Sequence, residues 1–306
     1  MNTLPPPPGQ LFDIGGYRLH LWRQGHTSPG GARERQPITV LDSGLVGNSL
    51  VWANTLAALA AFTQAAAFDR AGYAWSDPAP AGTPRTSAQM AAELRALLRA
   101  AGLEPPYILV GHSAGAIHTL VYTDLYPAEV AGLVLVDPSH PEMFTRAPGV
   151  PDGPAIARPY RAIAALGRLG LLRWLGPILL GALLGDSRRH LPPEAGRALT
   201  AFSQRPQDYA NAAREAQDAN ESFAHAAQAL TRLGDRPVEV LSAEWWATGQ
   251  ATPMKRALLG LHRELAGHSA RGQHSLVAGT DHANLPVARP DAIADAVQRI
   301  LKGRLA

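Results

Sequence analysis

Ser113 stands at the centre of the pentapeptide Gly-His-Ser-Ala-Gly, residues 111–115, and could act as a nucleophile. A serine hydroxyl becomes reactive when a neighbouring base removes its proton, and that base must be held in the correct tautomer by a third group. Four apolar residues precede the pentapeptide and a helix-like pattern follows it, which is typical of a sharp strand-to-helix turn. The sequence therefore predicts a serine nucleophile at such a turn, served by a histidine and a carboxylate from elsewhere in the chain.

A second serine, Ser269, lies in the related stretch Gly-His-Ser-Ala-Arg at residues 267–271. This stretch lacks the second glycine, and a charged, helix-compatible segment precedes it instead of an apolar run. In the sharp turn both glycines are needed, because a side chain at either position would clash with the adjoining strand or helix. We therefore expect Ser269 to lie at an ordinary helix end or in a loop.

The composition of the chain narrows the possible functions. With 306 residues, of which 46% are hydrophobic, the chain can bury the core of one large α/β domain with an insertion. The formal net charge is +3, and no stripe of Lys and Arg interleaved with aromatic residues is present, so we expect no nucleic acid partner. Cysteine is absent, which excludes disulfides, thiolate catalysis and cysteine-ligated metals. We expect no metal or other cofactor, because no metal-ligating residues have a suitable spacing.

Two segments of the sequence bear on where in the cell the protein is located and on whether it crosses a membrane. The first ten residues, MNTLPPPPGQ, have neither the basic nor the apolar region of a secretory signal, so we expect a cytoplasmic protein. The most apolar segment, residues 169–185, has a longest uncharged part of 12 residues that contains Pro177. Crossing a bilayer takes about 20 apolar residues. We interpret this segment as a buried or lid helix pair, with contact to a membrane surface as the less favoured alternative.

Short apolar runs alternate with helix-like segments along the chain, which predicts an α/β fold with a mainly parallel sheet. A run at residues 17–22 follows two glycines and predicts one arm of an N-terminal hairpin. Thr86 and Gly102 are the expected start and stop signals of a helix. Functional groups should gather where the strands end. The remaining predicted strands, each leading into a loop, lie at residues 38–44, 65–72, 107–113, 132–139, 238–244 and 274–282.

A segment of about 100 residues, 139–235, carries helix patterns punctuated by proline and no strand pattern. It is too long for an ordinary loop inside a compact domain. We therefore expect an inserted helical cap at residues 139–235, with a parallel-sheet core formed by residues 1–138 and 236–306.

Five blocks of the chain resemble the α/β-hydrolase fold superfamily, in the order in which that family carries them. The resemblance implies the family fold, a mostly parallel central sheet flanked by helices with an inserted helical cap, and a serine hydrolase activity with Ser113 as the nucleophile. It also implies a structural role for Asp69 and Arg70. The blocks are LDSGLVGNSLVW (41–52), FDRAGYAWSDP (68–78), YILVGHSAG (107–115), GLVLVDPSHPE (132–142) and GTDHANLPVARPDAIADAV (279–297).

The same resemblance implies the general base and the groups that stabilise the oxyanion. His282, in a stretch after the last strand, is the expected base, while His112 should point away and His118 should pack on its helix. Two backbone N–H groups form the oxyanion hole. They are expected from Ala114 and from Leu45, the latter in a loop where relatives commonly carry His-Gly and this chain has Ser-Gly.

The triad acid has more than one candidate. Relatives commonly place it just beyond the penultimate strand, where this chain carries Trp246, and Glu244 lies two residues earlier. A variant of the fold takes the acid from the end of the preceding strand, where Asp137 stands. We favour Asp137, with Glu244 as the alternative. Less favoured acids elsewhere are Glu142 and Asp281.

The expected activity is hydrolysis of a carboxylic ester of small or medium apolar character, through an acyl-enzyme on Ser113. Amidase or aminopeptidase, thioesterase and cofactor-free perhydrolase activities use the same triad and stay open as alternatives. Dehalogenase and epoxide hydrolase activities are disfavoured, because those relatives use an aspartate where this chain has Ser113. An alternative of another class is a non-catalytic protein that binds a small molecule. The sequence does not indicate the substrate's identity or the oligomeric state.

Overall fold

One eight-stranded sheet organises the protein, of which the computed structural model describes residues 5–25, 36–184 and 189–305. The strands are β1 Gln10–Asp13, β2 Arg18–Gln24, β3 Ile38–Asp42, β4 Ala65–Phe68, β5 Tyr107–His112, β6 Val130–Val136, β7 Val238–Ala243 and β8 Gly272–Val277. Their order across the sheet is β1-β2-β4-β3-β5-β6-β7-β8. Strand β2 pairs antiparallel with β1 and β4, and all other pairs are parallel. The predicted N-terminal hairpin and mainly parallel sheet are confirmed.

Helices occupy most of the chain between the strands. Thr86 caps the second helix, as predicted, because its side chain accepts a hydrogen bond from the backbone N–H of Gln89. Gly102 follows that helix with a positive φ of 68°. The helices of the described residues are α1 Ala53–Leu59, α2 Ser87–Ala100, α3 Ala114–Leu125, α4 Met143–Arg146, α5 Gly153–Arg168, α6 Leu172–Leu184, α7 Pro193–Phe202, α8 Pro206–Gln217, α9 Ala219–Leu230, α10 Pro253–Gly267, α11 Leu285–Ala288 and α12 Pro290–Leu305.

Both faces of the sheet are covered, which explains why the central strands are continuous apolar runs. In β5, Tyr107 and Leu109 face the cluster that contains side chains of α2, α3 and α9. Ile108 and Val110 face the opposite cluster, which contains side chains of α1 and α12. This double burial holds the carboxyl end of β5, where Ser113 follows, in a rigid frame.

Between β6 and β7 the described residues form six helices, α4–α9, and no strand. Helices α5 and α8 pack on each other, and α9 also packs on α3 of the sheet layer. Phe223 and Ala226 of α9 belong to the same apolar cluster as the central strands. The division into a core and a cap at residues 139–235 stays a prediction.

Helix α6 has two apolar faces in different surroundings. Leu172 and Leu180 are buried, whereas Trp174 and Ile178 on the other face are exposed. Residues 169–184 are therefore not buried throughout, and their interpretation as a lid stays a prediction; residue 185 lies outside the described residues. Among the described helices, none combines the length and apolar character that a membrane-crossing segment needs.

Candidate active site

Ser113 occupies a strained turn between β5 and α3. Its φ of 53° and ψ of −121° lie outside the regions that residues with a side chain commonly adopt. A Cβ atom on Gly111 would lie 2.6 Å from the carbonyl oxygen of Gly115, and one on Gly115 would lie 2.6 Å from the carbonyl oxygen of Asp42. Both contacts are too close for carbon, so the two glycines are required here. This confirms the predicted reason for the pentapeptide.

Ser269, in the stretch that resembles the pentapeptide, lies at a helix end. It follows α10, and its hydroxyl donates a hydrogen bond to the carbonyl oxygen of Arg236. A Cβ atom on Gly267 would meet nothing within 4 Å. The expectation of an ordinary helix end is confirmed.

Three side chains from three strand ends meet in a line of hydrogen bonds. The hydroxyl Oγ of Ser113 lies 3.0 Å from Nε2 of His282, which stands in the loop between β8 and α11. Nδ1 of His282 lies 2.6 Å from Oδ2 of Asp137, the residue after β6. The parallel strands place all three residues at the same edge of the sheet. This is the geometry that lets a histidine take a serine proton while a carboxylate orients the imidazole.

Asp137 is fully buried, and its carboxylate is held from several sides. Besides His282, the backbone N–H of Ala243 donates to Oδ1 at 2.7 Å, and the indole Nε1–H of Trp246 donates at 2.8 Å. Burial raises the pKa of Asp137, but the hydrogen bond and charge of His282, followed by the smaller effects of His262 and the Ala243 N–H, lower it to about 2. The carboxylate is therefore ionised at neutral pH and can stabilise an imidazolium.

The other candidate acids have different partners. Glu244 accepts a hydrogen bond from the backbone N–H of Gly279 at 2.9 Å, and Glu142 pairs with Arg146. Asp281, next to His282 in sequence, accepts hydrogen bonds from two backbone N–H groups of its own loop. The structure thus brings Asp137 to the imidazole and holds these three carboxylates in other contacts.

The sequence analysis expected His112 to point away from the site. The structure shows instead that His112 lines the cavity beside His282. Its Nε2 lies 2.9 Å from the backbone carbonyl oxygen of His282, and the two rings are 5.1 Å apart. Burial and the nearby His282 lower the pKa of His112 to about 4, so it is neutral at pH 7. Because a carbonyl only accepts, Nε2 carries the proton and donates it to this bond. His112 therefore anchors the backbone of the loop that carries His282.

The loop expected to supply the second oxyanion donor is held by Arg70. Nη1 and Nη2 of Arg70 donate to the carbonyl oxygens of Ser43 and Gly44 at 2.7 and 2.8 Å. Leu45 follows these two residues, and both Leu45 and Ala114 line the cavity beside Ser113. The guanidinium thereby fixes the peptides immediately before the expected donor, which fits the structural role predicted for Arg70.

Glu215 of α8 is a site residue that the sequence analysis missed. It is buried and bonds to Arg70 at 3.2 Å, to the hydroxyl of Tyr73 at 3.1 Å and to Nε2 of His118 at 3.3 Å. Burial raises the pKa of Glu215, but the charge of Arg70 and the hydrogen bond of His118 lower it to about 2. His118 is buried on α3, as expected. No local pattern could identify Glu215, because its partner Arg70 is 145 residues away in the chain.

Asp69 has a structural role, as predicted. It accepts a hydrogen bond from the backbone N–H of Ser49 at 2.7 Å and lies 2.8 Å from Nδ1 of buried His20. These contacts join the end of β4 to β2 and to the turn before α1.

A cavity of about 320 Å³ adjoins Ser113, and helices α5–α9 each contribute to its wall. The wall is mainly apolar, and its polar groups include the hydroxyl of Ser113 and the ring of His282. Within the described residues, no three His, Asp or Glu side chains are grouped so that they could hold a metal ion. Apolar side chains of the wall include Val51, Met143, Phe144, Ile156, Leu180 and Leu199.

Two of the curated proteins that resemble this chain match only part of it. RutD, a candidate carbamate hydrolase of Escherichia coli, is 40% identical over 101 residues, which cover 33% of this chain and 37% of RutD. The protein of Hormonema carpetanum named "Probable transporter efuK" is 31% identical over 141 residues, which cover 45% of this chain and 20% of efuK. The chain therefore matches less than two fifths of the length of these relatives.

Comparison of folds and families covers more of the chain. The structure of a thermophilic esterase from Thermogutta terrifontis matches 94% of each chain with a TM-score of 0.66 and 19% identity, which establishes a shared fold. The family model described as alpha/beta hydrolase fold matches residues 40–233, more than half of the chain. The match includes the turn at Ser113 and the strand end at Asp137. By this match and by its sheet topology, the chain belongs to the α/β-hydrolase family.

Proposed function

We propose that the protein is a serine hydrolase that cleaves carboxylic esters through an acyl-enzyme on Ser113. The observation that carries the proposal is the line of hydrogen bonds from Ser113 through His282 to the ionised carboxylate of Asp137, beside an apolar cavity. A serine turned into a strained elbow and aligned with a histidine is arranged for nucleophilic attack.

Acylation begins when Nε2 of His282 removes the proton of Ser113 as Oγ attacks the ester carbonyl carbon. The carbonyl oxygen becomes an oxyanion, which the backbone N–H groups of Leu45 and Ala114 stabilise. The tetrahedral intermediate then expels the alkoxide, which takes the proton from His282 and leaves as an alcohol. Ser113 now carries the acyl group as an ester.

Deacylation repeats these steps with water. His282 removes a proton from water as the water oxygen attacks the acyl carbon. The second tetrahedral intermediate then expels Oγ of Ser113, which regains a proton from His282, and the carboxylic acid leaves. Asp137 stays ionised throughout, since its pKa of about 2 lies far below neutral pH. Its charge stabilises the imidazolium that forms in both half-reactions.

The cavity supports a small or medium apolar substrate. Its volume of about 320 Å³ lies near the lower end of the range for small-molecule sites, and its wall is mostly apolar. Amide, thioester, carbamate and peracid chemistry could use the same groups. One structural neighbour is named an esterase and others are named epoxide hydrolases, so the shared fold does not by itself choose the substrate, and the screen below decides it. A serine nucleophile disfavours epoxide and haloalkane hydrolysis, because attack on such substrates would leave an ether that water does not cleave.

The test is covalent labelling with a fluorophosphonate, followed by a hydrolysis screen. The wild-type protein should be labelled, the Ser113→Ala variant should not, and the Ser269→Ala variant should be labelled like the wild type. The Ser113→Ala variant loses the nucleophile and the His282→Ala variant loses the base, and each should lower turnover by about 10⁴-fold. A folded wild-type protein that resists labelling would instead support a non-catalytic binding protein.

The screen should compare p-nitrophenyl esters of increasing acyl length with the corresponding anilides and thioesters. The Ser113→Ala variant serves as the blank. The proposal expects the highest kcat/KM on esters. A higher kcat/KM on anilides or thioesters would assign the protein to an amidase or thioesterase class.

A further inference from the structure

The outer face of α6 is an apolar stripe that faces solvent. Leu171, just before the helix, and Trp174, Leu175 and Ile178 repeat at the three- and four-residue spacing of one helix face, and all four are exposed. The opposite face, with Leu172 and Leu180, is buried. A helix that lies on a protein surface ordinarily turns a polar face to water. Helix α6 turns an apolar one.

The exposed apolar surface continues onto the end of α5 and its connection to α6. We call the whole surface the α5–α6 patch. Leu169 is 75% exposed, Trp174 67% and Ile178 65%, more than the other large apolar residues of the described chain. Contiguous apolar surfaces of this kind mark sites that bind a membrane, another protein or a ligand. The patch consists of Leu166, Leu169, Leu171, Trp174, Leu175 and Ile178.

The charged side chains of α5 and α6 all carry the same sign. Arg158, Arg161, Arg168 and Arg173 are all exposed on these two helices, and residues 153–184 contain no Asp or Glu. The guanidinium of Arg173 lies 5.2 Å from the ring centre of exposed Trp174. Apolar side chains flanked by arginines, without acids, are complementary to a surface that is apolar inside and anionic at its boundary.

The same charge argues against a second copy of the chain as the occupant. A two-fold dimer contact would bring the arginines of one copy against those of the other, and no acid on these helices would offset the repulsion. Helix α6 has 13 residues and is too short to cross a bilayer. Contact in the plane of the membrane boundary is the arrangement that fits both the length and the charge.

We propose that the α5–α6 patch binds the surface of membranes that contain anionic lipids, with its apolar side chains at the boundary of headgroups and acyl chains and its arginines on the phosphates. The proposal goes beyond the hydrolase function and does not depend on it. The inner faces of the same helices, through Tyr160 and Leu180, line the cavity beside Ser113. Membrane binding would thus place the cavity wall next to the lipid surface.

The experiment is flotation of the full chain with two kinds of vesicles, pure phosphatidylcholine and an equal mixture of phosphatidylcholine and phosphatidylglycerol. The protein should float with the mixed vesicles, and binding should weaken as salt is raised. Trp174→Ser with Ile178→Ser should lower the partition coefficient about tenfold or more, because it removes two exposed apolar side chains that the bound membrane would bury. Arg168→Glu with Arg173→Glu should lower it by roughly fivefold or more per arginine.

Matched controls carry equivalent changes on other faces. Leu125→Ser with Leu276→Ser alters two exposed apolar residues, and Arg256→Glu with Arg263→Glu reverses two exposed charges on α10. These variants should float like the wild type. Four outcomes would overturn the proposal: no flotation at low salt, equal flotation with both vesicle types, losses in the controls as large as in the patch variants, or a dimer that the Trp174 and Ile178 changes convert to a monomer without any vesicle binding. Vesicle binding is read without substrate, so its failure would leave the hydrolase proposal untouched.

Discussion

The indole Nε1–H of Trp246 lies 2.8 Å from both carboxylate oxygens of Asp137. Trp246 stands where the resemblance to the family predicts the triad acid, yet it donates a hydrogen bond to Asp137, the carboxylate that lies against His282. The carboxylate and its indole donor thus lie at the ends of two neighbouring strands, β6 and β7. Two consequences can be measured.

Trp246→Phe should keep an aromatic ring in place and remove the donor. A hydrogen bond to a charged group contributes about 1.5–3 kcal/mol, so we expect kcat to fall by about tenfold to a hundredfold with KM nearly unchanged. Its neighbour Trp245 is 42% exposed, and Trp245→Phe is the matched control, which should keep wild-type kcat. Equal kinetics in the two variants would remove Trp246 from the positioning of Asp137.

Asp137→Asn should nearly abolish turnover, because an amide cannot stabilise the imidazolium and favours the wrong tautomer of His282. The expected loss is up to about 10⁴-fold. Glu244→Gln should lose less than about tenfold, since Glu244 accepts from the backbone of Gly279 and not from His282. The comparison requires variants whose thermal unfolding matches the wild type. The reverse order of losses would move the triad acid to Glu244.

Gly115→Ala should abolish fluorophosphonate labelling and destabilise the fold by several kcal/mol, roughly as for other severe overpacking. The added methyl group would lie 2.6 Å from the carbonyl oxygen of Asp42, which is backbone and has little room to move. Gly267→Ala in the related stretch, at the last residue of α10, meets open space, so it should not destabilise the protein and should stabilise it by at most about 0.5–1 kcal/mol. Chemical denaturation and labelling of both variants check this pair.

Asp208 of α8 should make stability depend on pH in an unusual direction. Its side chain is buried, Oδ1 accepts from the backbone N–H of Ala74 at 3.0 Å, and Nε of Arg205 lies 3.6 Å from Oδ2. Burial raises its pKa from an ordinary 3.8 to about 7, although the charge of Arg205 opposes the shift. The folded state therefore holds a proton that the unfolded state has already released between about pH 4 and pH 7.

Below about pH 4 the carboxyl is protonated in both states, so its ionisation does not lower the free energy of unfolding. As the pH rises from about 4 to about 7, ionisation in the unfolded state lowers the free energy of unfolding progressively. Asp208→Asn keeps the acceptor for Ala74 and removes the ionisation, so the variant should be more stable than the wild type by about 1–3 kcal/mol at pH 8. The difference should shrink as the pH falls to about 4. Urea denaturation of both proteins across this range measures it, and a difference that is constant with pH would contradict the raised pKa.

The sequence alone predicted the strand-to-helix turn at Ser113 and most of the sheet. The pentapeptide pattern identifies the turn. The clash that requires Gly111 is local, with the backbone of Gly115 and Ala116, whereas the clash that requires Gly115 is with the carbonyl oxygen of Asp42 at the end of β3. The apolar runs of β3 and β5 identify buried parallel strands because both of their faces are covered. The same logic separated Ser269 from Ser113 by one missing glycine.

The tertiary structure decided what depends on groups far apart in the chain. Asp137 and Glu244 were both candidates, and the selection came from which strand end lies within hydrogen-bond distance of His282. The contact of His112 with the carbonyl of His282 depends on how the loop after β8 folds over the elbow. Likewise, helix α6 is apolar apart from Arg173, so its apolar pattern does not single out one buried face. Packing against its neighbours decides that Trp174 faces solvent and Leu180 the cavity.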